Sequence, residues 1–127
     1  MPCEPSERER QFVIHKHITP AGIHWDWMLE EGGTLQTWRV SCPPQEIGQE
    51  LLRSDKIDDH DFRFLTYEGP VQQNTARVQR EDRGRLTVLR RTDSHILFRL
   101  EGEVLTGCFA FCRKGNEWFL CRVPPTE

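Results

Sequence analysis

The sequence lacks the long apolar segment that a membrane-spanning helix requires, since no run approaches the ~20 residues needed. A secretory leader is not expected either, because the first residues, MPCEPSERERQ, are polar and charged. Blocks of like charge are absent too, because 17 basic and 20 acidic residues are interspersed and leave a net charge of −3. A general DNA-coating protein usually has a strong basic excess and is therefore disfavoured, although a local basic patch is compatible with this charge. We predict a cytoplasmic protein that does not engage a membrane.

The cysteines do not form the patterns that zinc-binding or disulfide-stabilised domains require. There are five, an odd number, and no two of them are spaced as C-x-x-C. A zinc ribbon and a disulfide framework are therefore both disfavoured, and free thiols in a reducing compartment are the simpler interpretation. Cys108 and Cys112 lie on one face of a predicted strand but too far apart to form a local metal pair, so we predict that both are buried apolar residues.

The chain, at 127 residues, has the length of one domain. Residues 1–10 show no periodicity and are predicted to form a mobile N-terminal arm, with residues 11–127 as a single domain. The segment PPQEIGQELLRS, residues 43–54, is the one clear helix candidate, because its apolar residues fall on a single stripe. The segment DDHDFRFLTYEGP that follows is expected to be a loop that leads into a strand.

Much of the remaining sequence alternates between apolar and polar residues, as strands do. Gly32-Gly33 separates two such segments and predicts a β-hairpin. From Arg77 onward, turn signals recur about every 8–12 residues, as in barrels and sandwiches. These turns are predicted at residues 82–84, 93–94, 102 and 115–116. The predicted fold class is therefore mainly β, a compact antiparallel β-barrel with one or two flanking short helices.

Two histidines and an aspartate in the segment HITPAGIHWDW form a candidate metal site. His24 and Asp26 are two residues apart on a predicted strand, so their side chains share one face. The loop ITPAGI favours a turn that would bring His17 beside this pair. Imidazole and carboxylate ligands suit Mn²⁺, Zn²⁺ or Fe²⁺, and three of them leave positions open for water or substrate. On spacing alone, the alternative of a loop histidine and a surface hydrogen-bonded pair is favoured.

Further residues are candidates for phosphate binding. His60 lies in the segment DDHDF, where neighbouring carboxylates favour its protonated form, which suits phosphate stabilisation or general acid catalysis. An exposed loop histidine is the alternative. The arginines that could contact phosphate, each also compatible with a solvated surface charge, are Arg39, Arg53, Arg63, Arg77 and Arg80. The four tryptophans are predicted to be core rather than base-stacking residues, and His15 and His95 are predicted to be structural.

The segment FVIHKHITPAGIHWDWMLEEGGTLQTWRV resembles the phosphoesterase domain of bacterial DNA ligase D and, more closely, the small stand-alone relatives of that domain. The matching elements, in order, are Lys16-His17, His24-Trp25-Asp26, Leu29-Glu30, Gly32-Gly33 and Trp38-Arg39-Val40. A second block matches at Asp59-His60 and Tyr67-Glu68-Gly69. The resemblance covers most of residues 11–123, and several elements in one order make it stronger than any single motif.

The resemblance implies a compact β-barrel with flanking helices and an Mn²⁺-dependent activity that removes a 3′-terminal ribonucleoside and then a 3′-phosphate. It implies that His17, His24 and Asp26 bind the metal, with Zn²⁺ as the alternative ion, and that His60 is a catalytic residue that contacts the scissile phosphate. It also implies nucleic-acid 3′ ends as the substrate and makes a DNA ligase or polymerase a candidate partner. Two other functions stay open: a module that binds DNA ends or a repair partner, and a metal phosphoesterase for a small phosphorylated molecule.

Three positions differ from the ligase D pattern, in addition to a shorter N-terminal arm. An arginine that contacts phosphate there is Met28 here, a tyrosine is Phe64, and a lysine is Cys42. Each lost charged hydrogen bond to phosphate costs about 1.5–3 kcal/mol. The candidates to replace these contacts are Arg39, Arg53 and Lys56.

Overall fold

Eight antiparallel strands close into a barrel in the computed structural model, which describes residues 9–125. The strands are β1 (Arg10–Thr19), β2 (Gly22–Glu31), β3 (Thr34–Val40), β4 (Leu52–His60), β5 (Gly69–Val71), β6 (Ala76–Thr92), β7 (His95–Gly102), β8 (Thr106–Lys114) and β9 (Glu117–Val123). Neighbouring strands pair in the order β1-β2-β3-β4-β9-β8-β7-β6, and β6 pairs back with β1 to close the ring. The short strand β5 pairs with β6 outside this ring. The predicted antiparallel β-barrel is therefore confirmed.

Within residues 9–125, two short 3₁₀ helices flank the barrel. The first 3₁₀ turn spans Pro44–Glu46, and the second spans Phe62–Leu65. The carboxylate of Asp61 accepts a hydrogen bond from the Arg63 backbone N–H at 2.9 Å and so caps the start of the second turn. This cap holds the turn in place immediately after β4.

Strand alternation directs the large apolar side chains into the barrel. Trp27 and Trp38 are 0% and 1% exposed, and Trp38 stacks on Phe111 with ring centroids 4.2 Å apart. The other two tryptophans, Trp25 and Trp118, are half-buried and pack against the same cluster. The prediction that the tryptophans belong to the core is therefore confirmed for Trp27 and Trp38, whereas Trp25 and Trp118 pack at its margin.

A smaller apolar cluster lies on the opposite face of the sheet. It consists of Val13, Met28 and Leu35, with Phe64 and Leu65 packed against it from the second 3₁₀ turn. The two sequence neighbours of Met28 belong to the main core, so β2 alternates between the two faces as predicted. The outer wall formed by β1, β2 and β3 is therefore covered in part by the segment that follows β4.

The predicted helix over residues 43–54 does not form beyond the first 3₁₀ turn. Ile47 is already extended, with φ −71° and ψ 120°, and its side chain is 5% exposed because it packs into the main core. The Gly48 carbonyl accepts a hydrogen bond from the Arg122 N–H at 2.6 Å, which ties this segment to β9. Tertiary contacts of the backbone and of Ile47 therefore outweigh the local apolar pattern that predicted a helix. The next strand, β4, begins at Leu52.

The predicted turn at residues 82–84 is also wrong, because β6 continues through it for 17 residues. Asp82 is 2% exposed, and its carboxylate accepts hydrogen bonds of 2.8–2.9 Å from the backbone N–H groups of Glu103, Val104 and Leu105. Gly84 pairs with Gly102 across β6 and β7. Asp82 therefore anchors the neighbouring β7–β8 loop, and Gly84 pairs with the end of β7.

Other predictions have mixed outcomes. Turns form at Gly32-Gly33, Asp93-Ser94 and Gly115-Asn116, as predicted. The predicted mobile arm lies outside the described residues at positions 1–8, and β1 begins at Arg10.

Cys108 and Cys112 carry free thiols and are half-buried, where full burial was predicted. Among residues 9–125, no helix has the length and apolar character needed to cross a membrane.

Candidate functional site

The β1–β2 hairpin brings two of the predicted metal ligands face to face. Thr19 pairs with Gly22 across a two-residue turn, and this register places His17 directly opposite His24. The Thr19 hydroxyl accepts a hydrogen bond from the Gly22 N–H at 3.1 Å, which stabilises the turn. Asp26 lies two residues beyond His24 and so points to the same face. The turn expected within ITPAGI therefore forms and assembles the three side chains.

The donor atoms of these side chains form a compact triangle, all within 4.8 Å of one another. His17 Nδ1 lies 2.8 Å from His24 Nε2, and Asp26 Oδ2 and Oδ1 lie 3.5 Å from the same two nitrogens, respectively. Bonds of about 2.0–2.2 Å to one ion would separate such atoms by about 3 Å. The nitrogen and oxygen donors, and their spacing, therefore fit a divalent metal such as Mn²⁺ or Zn²⁺.

The electrostatics of the triangle favour the protonation states that bind a metal. Burial raises the pKa of Asp26, but the hydrogen bond and charge of His24, with the charges of Arg39 and His17, outweigh it and bring the pKa below its ordinary value. Burial lowers the pKa of His17 despite the opposing charge of Asp26. Near neutral pH the site therefore presents a carboxylate and a neutral imidazole, which are the ligand forms of these residues.

A cleft of about 360 Å³ opens beside the triangle. One wall is the outer face of β1 and β2, and the other is the segment from the end of β4 to the β5–β6 turn. The residues that line it are His15, His17, Asp26, Met28, His60, Arg63, Phe64, Tyr67, Pro70, Val71, Gln72 and Val78. The fold thus brings His60 into the same cleft as two of the three proposed metal ligands.

Hydrogen bonds define which nitrogen of His60 is available in the cleft. The Thr37 hydroxyl donates to the Leu35 carbonyl at 3.0 Å, so its oxygen is an acceptor toward His60 Nδ1, also at 3.0 Å. The Asp58 carbonyl lies 3.0 Å from the same nitrogen. Nδ1 therefore carries a proton and donates, which leaves Nε2 for a ligand.

The carboxylates that flank His60 in the sequence are engaged elsewhere. Asp59 contacts Thr34 at 2.9 Å and Lys56 at 3.5 Å, and Asp61 caps the second 3₁₀ turn. Among the described residues, none of these carboxylates is within hydrogen-bonding distance of the His60 ring. The carboxylates of DDHDF were expected to favour the protonated form of His60, but none of them directly contacts its ring.

The proposed phosphate-binding cations are placed differently from one another. Arg39 Nε lies 3.3 Å from Asp26 Oδ1, so its charge supports the metal triangle. Arg53 pairs with Glu117 at 3.2 Å, and neither it nor Lys56 lines the cleft. The structure therefore brings His60 to the cleft and Arg39 to Asp26 of the metal triangle, but it brings Arg53 to neither.

Sequence reasoning missed several residues of the cleft. His15 was predicted to be structural, yet it lines the cleft and is 0% exposed. Residues two apart on a strand share one face, which is how His24 was paired with Asp26. The same spacing places His15 on the face of His17, so the sequence did indicate that His15 lies near the site. Tyr67 and Gln72 enter the cleft only through the fold of the segment after β4, which no local pattern indicates.

The fold and the side chains together define a β-barrel with a candidate metal centre on its outer wall, beside a histidine-containing cleft. The chain belongs to the DNA ligase D 3′-phosphoesterase domain family, whose model matches residues 15–113. It is also similar to the multifunctional non-homologous end joining protein LigD of Pseudomonas aeruginosa, at 28% identity over 130 residues. That match covers 92% of this chain but only 15% of LigD. The matched family region contains His17, His24, Asp26 and His60.

Proposed function

We propose that the protein is an Mn²⁺-dependent 3′-phosphoesterase that trims 3′-terminal ribonucleosides or 3′-phosphates at nucleic-acid ends during DNA repair. The observation that carries this proposal is the triangle of His17, His24 and Asp26 at a cleft that also contains His60. Family membership supports a phosphoesterase acting on 3′ ends. Zn²⁺ is the alternative ion, because the same donor set accepts it.

Different residues of the chain would bind the metal, position its carboxylate ligand and donate a proton. His17, His24 and Asp26 would hold the ion, which when bound supplies positive charge that stabilises a phosphoryl group. Arg39 holds the Asp26 carboxylate through their ion pair. His60, oriented by its Nδ1 donor bonds, presents Nε2 to the phosphate, where its protonated form donates to an oxygen of the phosphate or of the leaving group.

The proposal is tested by calorimetric titration of Mn²⁺ into the wild type, His24→Ala and His95→Ala. His24 is a proposed ligand, whereas His95 is half-buried on β7 and serves as the matched control. The same samples then receive oligonucleotides that end in a 3′-ribonucleotide or a 3′-phosphate. We expect Mn²⁺ binding and 3′ trimming in the wild type and in His95→Ala, and loss of both in His24→Ala.

Other outcomes lead to the alternative functions. Mn²⁺ binding with tight oligonucleotide binding but no trimming would indicate a module that binds DNA ends. Hydrolysis of a small phosphate ester, without oligonucleotide trimming, would indicate a small-molecule phosphoesterase. The absence of Mn²⁺ and Zn²⁺ binding in the wild type would contradict the metal-dependent proposal.

A further inference from the structure

Unpaired polar atoms show that the cleft beside the triangle is suited to a polar ligand. Both ring nitrogens of His15 and Nε2 of His17 are buried and have no hydrogen-bond partner among the described residues. Buried polar groups are rarely left unpaired, because each one costs free energy that a partner would recover. Both side chains line the cleft, so its wall contains polar groups that the described residues leave without partners.

Arg63 supplies positive charge on the opposite wall of this cleft. It lies in the second 3₁₀ turn, where the Asp61 cap fixes its backbone. Its guanidinium carbon lies 5.0 Å from the centre of the Phe64 ring, and Phe64 in turn makes edge contacts with His60 and His15 at centroid distances of 5.4 and 6.0 Å. The aromatic contact restrains the long arginine side chain, so less entropy is lost when it binds a ligand.

Arg63 also differs from the other arginines near the site in having no acidic partner. Within the part of the chain that the structure describes, no carboxylate lies within 4 Å of its guanidinium, and no other arginine lines the cleft. Arg39 is paired with Asp26 at 3.3 Å, and Arg80 is paired with Glu68 at 3.8 Å. A guanidinium binds the oxygens of a phosphate group through paired N–H donors, and Arg63 is the one in this cleft that is free to do so.

We infer that Arg63 binds the terminal phosphate of the substrate, opposite the metal triangle and beside His60. This inference rests on the proposed function, since it assigns the contact that holds a 3′-phosphate in the same cleft. Met28 lies 1% exposed beneath Phe64 in the outer apolar cluster. The phosphate contact therefore comes from the segment after β4 and not from β2.

The inference is tested by comparing the binding of oligonucleotides that end in a 3′-phosphate or a 3′-hydroxyl, with Ca²⁺ in place of Mn²⁺ to limit turnover. The variants are Arg63→Ala, Arg63→Lys and Arg99→Ala. Arg99 is an exposed arginine on the outer face of β7, away from the cleft, so its removal gives the same change in net charge. Calorimetric titration of Mn²⁺ into each variant confirms that the metal site is intact.

We expect the preference for the 3′-phosphate to fall about tenfold or more in Arg63→Ala, as one charged contact is lost. Arg63→Lys should retain part of the preference, and Arg99→Ala all of it, with Mn²⁺ binding unchanged throughout. A preference that survives in Arg63→Ala, or that is absent from the wild type, overturns the inference. If the wild type shows the Arg63-dependent preference but no 3′ trimming with Mn²⁺, the proposed function fails and this phosphate contact stands.

Discussion

His15 is buried more deeply than any of the proposed metal ligands, and this burial affects how the protein responds to acid. Loss of hydration disfavours the charged imidazole and lowers the pKa of His15 from 6.5 to about 4, although the charge of Asp26 opposes the change. The folded protein therefore keeps His15 neutral at pH values where the unfolded chain binds a proton. Burial lowers the pKa of His17 in the same direction.

We expect the metal-free protein to lose stability as the pH falls from 6.5 toward 4. In this window the unfolded chain takes up the His15 proton before the folded chain does, so each step to lower pH favours unfolding. The pKa values of 6.5 and about 4 correspond to a loss of about 3 kcal/mol at the acid end. Urea unfolding at pH 7 and pH 4.5 in the presence of EDTA measures this difference.

The control for this prediction is a pair of histidine substitutions. His15→Gln removes the buried titrating group and should reduce the loss between the two pH values, whatever its effect on absolute stability. His95→Gln, on β7, should keep the wild-type loss. An unchanged pH dependence in His15→Gln would show that another group causes the acid sensitivity.

Individual site residues differ in how far the sequence predicts them. The i, i+2 spacing of His24 and Asp26 follows directly from strand geometry, and the turn residues of ITPAGI add His17. The DDHDF segment makes His60 a candidate, and the resemblance gives it a role at the scissile phosphate. Arg63 is indistinguishable in the sequence from other arginines, because its role depends on an unpaired guanidinium on the wall of a cleft. Such a property belongs to tertiary packing, which no local pattern contains.

At the scale of elements, the β5–β6 turn has the most unusual backbone among the described residues. Gln72, Gln73 and Asn74 have φ values of 53°, 58° and 72°, which are left-handed conformations. Asparagine tolerates this region, but for each glutamine it costs about 1–2 kcal/mol. The Gln72 carbonyl accepts hydrogen bonds from the Thr75 N–H at 3.1 Å and from its hydroxyl at 2.6 Å, which hold the turn closed. The turn carries Gln72 into the cleft, so its conformation helps to shape the site.

We expect Gln73→Gly to raise the free energy of unfolding by about 0.5–1 kcal/mol, because glycine adopts the left-handed conformation without steric cost. The gain is reduced by the greater freedom of glycine in the unfolded chain. Urea unfolding at neutral pH is the measurement. The matched control is Gln79→Gly, an exposed residue near the start of β6, which should lower stability. Equal effects of the two substitutions would contradict the argument from backbone conformation.

The elements that the sequence predicts best are those with strict alternation. β2 shows it clearly, since Trp27 and Met28 pack on opposite faces of the sheet. β4 was not predicted, because its sequence, LRSDKIDDH, is mostly charged and carries little apolar alternation. Its strand conformation comes from pairing with β3 and β9, which lie far from it in the sequence.

At the scale of the whole molecule, barrel closure depends on the pairing of β6 with β1. Phe12 is opposite Gly84 in this pairing, and Gly84 is also opposite Gly102 in the pairing of β6 with β7. Gly84 thus lies at the point of β6 that pairs with both β1 and β7. The metal triangle depends on the same closure, because His17 is opposite Val78 on β6.

The close approach of β6 and β7 makes Gly84→Ala the substitution that best tests this closure. A Cβ at this position would lie 2.8 Å from the Gly102 Cα and closer still to the Glu101 carbonyl oxygen, so backbone atoms would have to move. We expect a loss of about 3 kcal/mol or more in the free energy of unfolding, at the upper end of the usual overpacking range. Urea unfolding measures it.

Gly48→Ala is the matched control, because no heavy atom lies within 4 Å of its added Cβ. We expect this variant to unfold within about 0.5 kcal/mol of the wild type, as substitutions away from packed features usually do. Mn²⁺ titration of both variants extends the test to the site. If β6 must shift to accept the methyl group added at position 84, the register beside His17 shifts with it, and Mn²⁺ affinity should fall in Gly84→Ala but not in Gly48→Ala. Equal stability and equal Mn²⁺ affinity in the two variants would show that the barrel closes without the close backbone approach at Gly84.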